Sequence, residues 1–508
     1  MRVLVSVFEK SGITEFLSEL QKSTNCEIIS TGGTYDHLIS AGIKVENISS
    51  YTNFPEILDG RVKSLHPKIY GGILFNRNIK KHKSEIKNLG IEPIDMVVCN
   101  LYPFEEVISR KEFSNEEAIE NIDIGGPAMI RAAAKNYENV IVSVDQSSYE
   151  LILNAVVNNS LTIQERAKLA HKAFEHVSNY DNKITKYFEY KKEDTKLKQS
   201  NDINLNLKYV KNLRYGENPH QSAAIYKSYD SQYGIVGAEQ LNGKEMSYSN
   251  YIDADSAYIA VSNFEKHCVS IVKHTNTCGL AIRENQLDAF KSALEGDPIS
   301  AFGGIVGFNS KVSLETAKLL NKTFFEIIIA PEYDLIALEE LKKKKSLRVL
   351  KIRPEKFNKY LIRSISGGFI KQTNNLIEDN YNLSVVTHSH PSSQEFEDLK
   401  FAWKACSFIK SNSIVLVKNK KLLGMGAGQP NRLMSVKIAG EIAGKSASGS
   451  VLASDAFFPF PDALEQGVKL GVKAVIQPGG SVNDKKIIDI ANEFNISMIF
   501  TSQRRFLH

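Results

Sequence analysis

The stretch VSIVKHTNTCG, Val269 to Gly279, ends an apolar run in Lys273 and His274 and then turns through polar residues to a glycine. A histidine exchanges protons near neutrality, and an ammonium stabilises a developing oxyanion. The pair therefore suits proton removal at a centre where negative charge builds up. The apolar run reads as a buried strand. Neighbours on a regular strand point to opposite faces, so both side chains can serve one centre only where the strand has ended and the chain has turned.

A second set lies in the first 140 residues. Lys10 and Ser11 in EKSG, and Thr31, Gly32, Gly33 and Thr34 in STGGT, each follow a strand-like run at a helix start. Glycines let backbone N–H groups approach an anion, and a helix N-terminus favours negative charge. GRVKSLHPK packs Arg61, Lys63 and Ser64 into one short segment, and CNLYPF sets Asn100 and Tyr102 just past a strand, where Pro103 stops pairing. NIDIGGPAMIRAAAKN places Asp123 before a Gly-Gly-Pro helix start, with Pro127 suited to the first helical position. Arg131 and Lys135 stand four apart on that helix and share a face.

These groups need a frame. RVLVSV, CEIIS, DMVVCNLY and NVIVSV alternate with helical patterns, which predicts an α/β fold with a parallel sheet covered on both faces. Ligands in such sheets sit at the carboxyl ends of the strands, where the polar groups above fall. Helical patterns fill roughly 147–189. The expected organisation is a first domain over 1–190, a polar linker over 191–206 and a second domain over 207–508. Strands in the second domain are expected at VSIVK, GGIVGF, IVLVKN, AVIQP and MIFTS, and no internal repeat is legible.

At 508 residues the chain exceeds a single core. Its 42% hydrophobic and 24% charged residues are ordinary for a globular protein. A net charge of +5 is mild at this length. It suits small anionic substrates better than nucleic acid, which needs clustered basic residues. Lys342 to Lys345 reads as a solvated helix end. Five cysteines without a C-x-x-C pair imply neither disulfides nor structural zinc, and fit a cytoplasmic setting. No apolar run approaches a membrane span. GEIAGKS, Gly440 to Ser446, has one residue too few for a phosphate-binding P-loop, and GMGAGQP lacks the third glycine of a dinucleotide fingerprint. The H-x-E and P-C-x-x-C signatures of zinc deaminases are absent.

GRVKSLHP, CNLYPF and IDIGGPAMIRAAAKN resemble the cyclohydrolase part of the AICAR transformylase/IMP cyclohydrolase family. NLRYGENPHQSA, QLNGKEMSYSNYIDADSA, VKHTNTCG, FGGIVGF, SNSIVLVKN, GMGAGQPNR, SDAFFPFPD and QRRFLH resemble its transformylase part. The resemblance implies a methylglyoxal-synthase-like first domain and cytidine-deaminase-like α/β subdomains in the second. It implies formyl transfer from 10-formyltetrahydrofolate to AICAR, then ring closure to IMP, with no metal, in a homodimer. By position it makes Lys135 the proton donor/acceptor of ring closure and sets Lys63, Tyr102 and Asp123 at the reacting end. Lys10, Ser11, Thr31 to Thr34, Arg61, Ser64 and Asn100 would hold the nucleotide. In the second domain His274 is the implied base and Lys273 the charge stabiliser. Arg214, Tyr215, Gly303, Glu326, Phe457 and Arg504 match AICAR contacts, and Asn412, Arg432, Asp462, Ser481 and Val482 match folate contacts. Thr277 stands where the family pattern has proline, and Pro461 where a polar residue is usual. A nucleotide sensor that binds without catalysis would instead keep the phosphate loops and lose the acid/base groups.

Overall fold

A computed structural model describes residues 1–110, 112–190, 203, 205, 207–228, 233–354, 360–374 and 382–508. The expected linker falls, apart from Ile203 and Leu205, outside the described residues. The chain divides into two compact units, Met1–Asn206 and Leu207–His508.

The first unit carries a parallel sheet of β1 (Arg2–Ser6), β2 (Glu27–Ser30), β3 (Glu46–Asn47), β4 (Met96–Cys99) and β5 (Ile141–Ser143), in the order β3-β2-β1-β4-β5. Val3, Leu4, Val5, Ile29, Met96 and Val97 are fully buried, as strands covered on both faces require. Helices Ile13–Ser23, Gly125–Lys135 and Ile163–Tyr190 supply much of that cover. The strand order reverses between β1 and β4, so their carboxyl ends open a crevice at the switch point. The first helix begins at Ile13 and not at Ser11. Gly12 caps it with φ 70, a left-handed conformation glycine adopts without strain.

Among the described residues of the second unit, twelve strands form one mixed sheet. Its two halves repeat one another. Helix Tyr248–Ser262, hairpin His267–Lys273/Asn276–Arg283, and strands Ile305–Phe308, Ile327–Ala330 and Arg348–Lys351 with intervening helices make one half. Helix Ser393–Cys406, hairpin Ile414–Lys418/Lys421–Gly426, and strands Val451–Ser454, Ala474–Gln477 and Ser497–Phe500 make the other. The halves meet where Asn276–Arg283 pairs antiparallel with Lys421–Gly426. The expectation of no repeat is thus corrected: the likeness is in element order, and the letters have diverged. One trace survives. Both leading helices open with a serine capping box, Ser247 with Asn250 and Ser392 with Glu395, and carry an aspartate six residues past the serine. Those helices share one face of the sheet around fully buried Trp403.

GEIAGKS closes helix Arg432–Ala443 and enters a 3₁₀ turn, which is not a P-loop. Lys342 and Lys343 pair with Glu339 and Glu340 at the end of helix Leu335–Lys342.

Thr277 is 1% exposed and its hydroxyl has no partner. Where proline would carry no such group, threonine buries an unpaired one. Thr277→Val should raise the stability of the second unit by about 1–3 kcal/mol, read as a higher urea midpoint at unchanged slope. A lower midpoint would show that the hydroxyl is satisfied.

Candidate active sites

In the first unit the crevice is built from four strand ends. Phe8 and Glu9 follow β1, and their N–H groups donate to Asn100 Oδ1 at 2.6 and 3.1 Å. Asn100 Nδ2 returns a bond to Glu9 O at 2.9 Å. Asn100 therefore locks the loops after β1 and β4 together. Thr34 does the same after β2, accepting from Val7 N at 3.0 Å and donating to Val7 O at 2.8 Å. Ser11 donates its N–H and hydroxyl to Glu9 at 2.9 and 2.6 Å, so a carboxylate already sits at that corner. Arg61 is exposed and paired with Glu120. Lys10 lies 5.8 Å from the Phe8 ring, which stands edge-on to Tyr102 at 5.9 Å.

Lys63, Ser64, Tyr102 and Asp123 converge at this crevice. A Cβ on Gly32 would meet Lys63 Nζ at 3.5 Å, and one on Gly125 would meet Ser64 Oγ at 2.6 Å. Asp123 accepts the Gly126 N–H at 2.8 Å, and its own N–H donates to the Tyr180 hydroxyl at 2.8 Å. Burial pushes the Asp123 carboxyl up; the N–H groups of Gly126 and Tyr102 and the Lys63 ammonium oppose the shift. Such a carboxyl exchanges protons nearer neutrality than an ordinary one. Lys135 is not brought to this point. It stands at the other end of helix Gly125–Lys135, about 15 Å away along the axis at the usual rise per residue. There it lines an open groove of about 790 Å³ with Arg131, Tyr70, His171 and Phe174.

In the second unit the strand does end at Lys273 and the chain turns. Lys273 closes one strand, Asn276 opens the next, and the two pair. His274 and Thr275 form the turn with φ 51 and 62. A two-residue hairpin with both residues left-handed is a type I′ turn, usually made by asparagine and glycine. A β-branched threonine there is strained. Lys273 Nζ donates to Phe302 O and Gly303 O, both at 3.1 Å, so its ammonium lies against Gly303. Glu326 accepts from Asn250 Nδ2 at 3.0 Å and lies 3.8 Å from Arg348. Arg348 is nearly buried and donates to Glu245 O at 3.1 and 3.0 Å. Burial lowers its pKa; Glu326 counters this and the neighbouring Arg214 adds to it. Lys273, His274, Gly303, Glu326, Arg214 and Tyr215 thus share one neighbourhood.

The residues expected to contact folate, with the nearby Phe457 expected at AICAR and Phe460, split into two kinds. Arg432 donates to Asp455 Oδ1 at 2.5 Å, Ser454 Oγ at 2.8 Å and Asn412 Oδ1 at 2.6 Å. Asn412 Nδ2 donates to Gln429 O at 2.8 Å. These side chains are engaged by protein around the buried Arg432–Asp455 ion pair. Phe457, Phe460 and Val482 are exposed instead, with Val482 wholly so. Asn483 donates to Pro459 O at 2.6 Å and its N–H to Ser481 Oγ at 3.2 Å, joining the Ser481–Val482 turn to the aromatic loop. Asp462 opens the helix that follows. Arg504 lies 5.0 Å from the Phe506 ring, and the next residue's N–H donates to Asp455 O at 2.7 Å. The hairpin meets this side through Asn276 Oδ1, which accepts the Lys410 N–H at 3.2 Å.

Comparison with known proteins now decides the family. Residues 133–442 match the AICARFT/IMPCHase bienzyme family, and residues 12–128 match the MGS-like domain. The chain is 48% identical to "Bifunctional purine biosynthesis protein PurH" of Thermoanaerobacter sp. (strain X514), covering 100% of this chain and 99% of that one. Proteins of the same name from Aquifex aeolicus and Dictyostelium discoideum are 46% and 43% identical, with both chains fully covered. The chain belongs to the AICARFT/IMPCHase bienzyme family. Its MGS-like portion carries the parallel sheet and crevice described above.

Two residues of this bienzyme went unnoticed in the sequence. Arg348 hid in LRVL as an ordinary strand residue. Asp253 hid in YIDADSA as one of two aspartates on a helix, yet it accepts the Thr275 N–H at 2.7 Å. The six-residue spacing from a capping serine, shared with Asp398, was the available signal.

A methyl group on Gly126 would lie 2.5 Å from Asp123 Oδ2 and 2.7 Å from Leu101. Gly126→Ala should therefore displace the carboxyl and lower ring closure by about 10²-fold, the cost of roughly 1 Å of misplacement. Formyl transfer should be unchanged. Normal ring closure in this variant would remove Asp123 from the chemistry.

Proposed function

We propose that the chain performs the last two steps of IMP synthesis at two separate centres, one in each unit. It is a bifunctional AICAR transformylase and IMP cyclohydrolase. The observation that supports the assignment of centres is the gathering of Lys63, Tyr102 and Asp123 in the first unit, and of Lys273 with His274 on one hairpin in the second, next to cationic or N–H groups suited to a phosphate.

At the formyl-transfer centre the co-substrate is 10-formyltetrahydrofolate. The 5-amino group of AICAR is a weak nucleophile because its lone pair is delocalised into the ring. His274 takes its proton as the bond to the formyl carbon forms, Lys273 stabilises the oxyanion, and the oxyanion collapses as the bond from that carbon to folate N10 breaks and tetrahydrofolate leaves with a proton on N10. Arg214 and Arg504 bind the 5′-phosphate, for which planar guanidinium groups are suited. Phe457 and the neighbouring exposed phenylalanine offer apolar faces to flat rings, with Asp462, Ser481 and Val482 around the folate. Asn412 and Arg432 shape that pocket from beneath.

At the ring-closing centre the carboxamide nitrogen of formyl-AICAR attacks its own formyl carbon, and water leaves. Loops 8–11, 31–34 and 61–64 hold the nucleotide. Holding the reactive rotamer is the larger part of the work. Lys63 and Tyr102 donate to the oxyanion, and Asp123, its carboxyl raised by burial, passes protons. Lys135 joins as proton donor/acceptor on family likeness alone. Among the described residues no group of three or more His, Cys, Asp or Glu is arranged to hold a metal.

The homodimer reading is supported by two hairpins of the second unit. Leu207–Leu213/Ala223–Ser228 exposes Tyr209 and Tyr226, and Tyr360–Ile365/Gly368–Thr373 exposes Ile365, Phe369 and Ile370. Two-stranded ribbons are marginal in water, and apolar surface of this kind is usually covered by a partner. Unpaired cysteines support a cytoplasmic setting, and no helix among the described residues is long and apolar enough to cross a membrane.

Three variants of the full chain test the assignment. His274→Ala should lower formyl transfer by about 10²-fold or more and leave ring closure intact; Lys63→Ala should do the reverse. Equal loss of both activities in either folded variant would merge the two centres. Lys135→Ala should lower ring closure by about 10²–10⁴-fold, measured with formyl-AICAR; a normal rate would leave the proton transfers to Lys63 and Asp123. Sedimentation should return roughly twice the 56.7 kDa chain mass, and a fully active monomer would sink the dimer.

A further inference from the structure

The two central hairpins of the large sheet make the same turn, and comparing them isolates one side chain. In the second hairpin Asn419 and Lys420 are left-handed, with φ 53 and 50. Both of their N–H groups donate to Asp398, at 2.7 Å each, one to each carboxylate oxygen. In the first hairpin only the Thr275 N–H is bound, by Asp253 Oδ1 at 2.7 Å. One aspartate gives both of its oxygens to the turn, with Gln394 Nε2 donating to one of them at 3.3 Å. Its counterpart gives the turn one oxygen, while its charge acts on His274 and Lys273. Burial pushes the Asp253 carboxyl up; the Thr275 N–H, His274 and Lys273 pull it down, and Glu326 adds to the push.

We infer that Asp253 is a positioning residue of the formyl-transfer centre: it clamps the turn that presents Lys273 and His274, and its charge stabilises the imidazolium that forms as His274 accepts a proton. The inference rests on His274 being the base. Other charged groups face this turn. Lys273 opposes imidazolium formation. Glu326 favours it, but Asn250 and Arg348 occupy that carboxylate. Lys410 meets the hairpin across Asn276. Asp253 is the carboxylate bonded to the turn itself, and it is 7% exposed, where charge is weakly screened.

The test is the pH dependence of kcat for formyl transfer in the full chain, for wild type, Asp253→Asn, Asp253→Ala, Asp398→Asn and His274→Ala. Ring closure and circular dichroism check that each variant is folded. Asp253→Asn keeps an acceptor for the Thr275 N–H and removes the charge. It should leave KM for AICAR near the wild-type value, lower kcat and move the acid limb to lower pH. Asp253→Ala also frees the turn and should lower kcat by about 10²-fold. Asp398→Asn should change the unfolding midpoint and leave the acid limb in place. If Asp253→Asn keeps the wild-type limb and kcat, Asp253 is only a turn clamp and the inference falls, even if Asp253→Ala fails to fold. If His274→Ala keeps both the limb and the rate, the base assignment itself falls, whatever the aspartate does.

Discussion

A hairpin turn with both residues left-handed and no glycine is the constraint on which the proposed formyl-transfer centre depends. Left to itself a turn of His274 and Thr275 would relax, because a branched side chain resists positive φ. Three neighbours oppose that relaxation. The sheet holds both strands in register on either side, the helix behind supplies a carboxylate for the Thr275 N–H, and the Lys410 segment donates to Asn276. The strain buys a placement no regular strand offers: a lysine that ends one strand and, next to it, a histidine on the turn. Local cost here is carried by the rigidity of the whole sheet.

The ring-closing centre solves a different problem. Its substrate already contains both reacting groups, so the site has to hold a shape more than supply a reagent. The architecture follows that need. Asn100 and Thr34 tie neighbouring strand-end loops to the loop after β1 through backbone bonds. The crevice is stiff where the nucleotide would lie. Asp123, whose carboxyl burial pushes up, sits where a glycine pair lets the chain pass close to it.

Much of this was legible from the letters. The first sheet could be read because parallel strands buried on both faces are unbroken apolar runs, and RVLVSV and DMVVCNLY are such runs. The short Glu46–Asn47 strand carries no such run and was invisible. The polar strand-end clusters were legible because glycine, lysine and proline punctuate them. Lys135 shows the limit. A helical pattern says which residues share a face, but the length of the helix sets Lys135, in a groove at its far end, apart from Asp123 just before its start. Asn412 and Arg432 show another. Type and position suggest a polar contact, and only packing reveals that the partners are Asp455, Ser454 and Gln429. The repeat in the large sheet escaped because element order can persist after the residues that once spelled it have changed.

That repeat has an evolutionary consequence. A sheet made from two like halves contains the same strained turn twice, held each time by an aspartate six residues past a capping serine. Only one copy needs to face a substrate. The other, Asn419–Lys420, keeps its fully clamped form and supports the fold, which leaves its partner free to exchange clamp for chemistry. Duplication of this kind separates two selective pressures that a single turn would have to satisfy at once. Stability rests with the silent hairpin, and reactivity was able to accumulate on its twin.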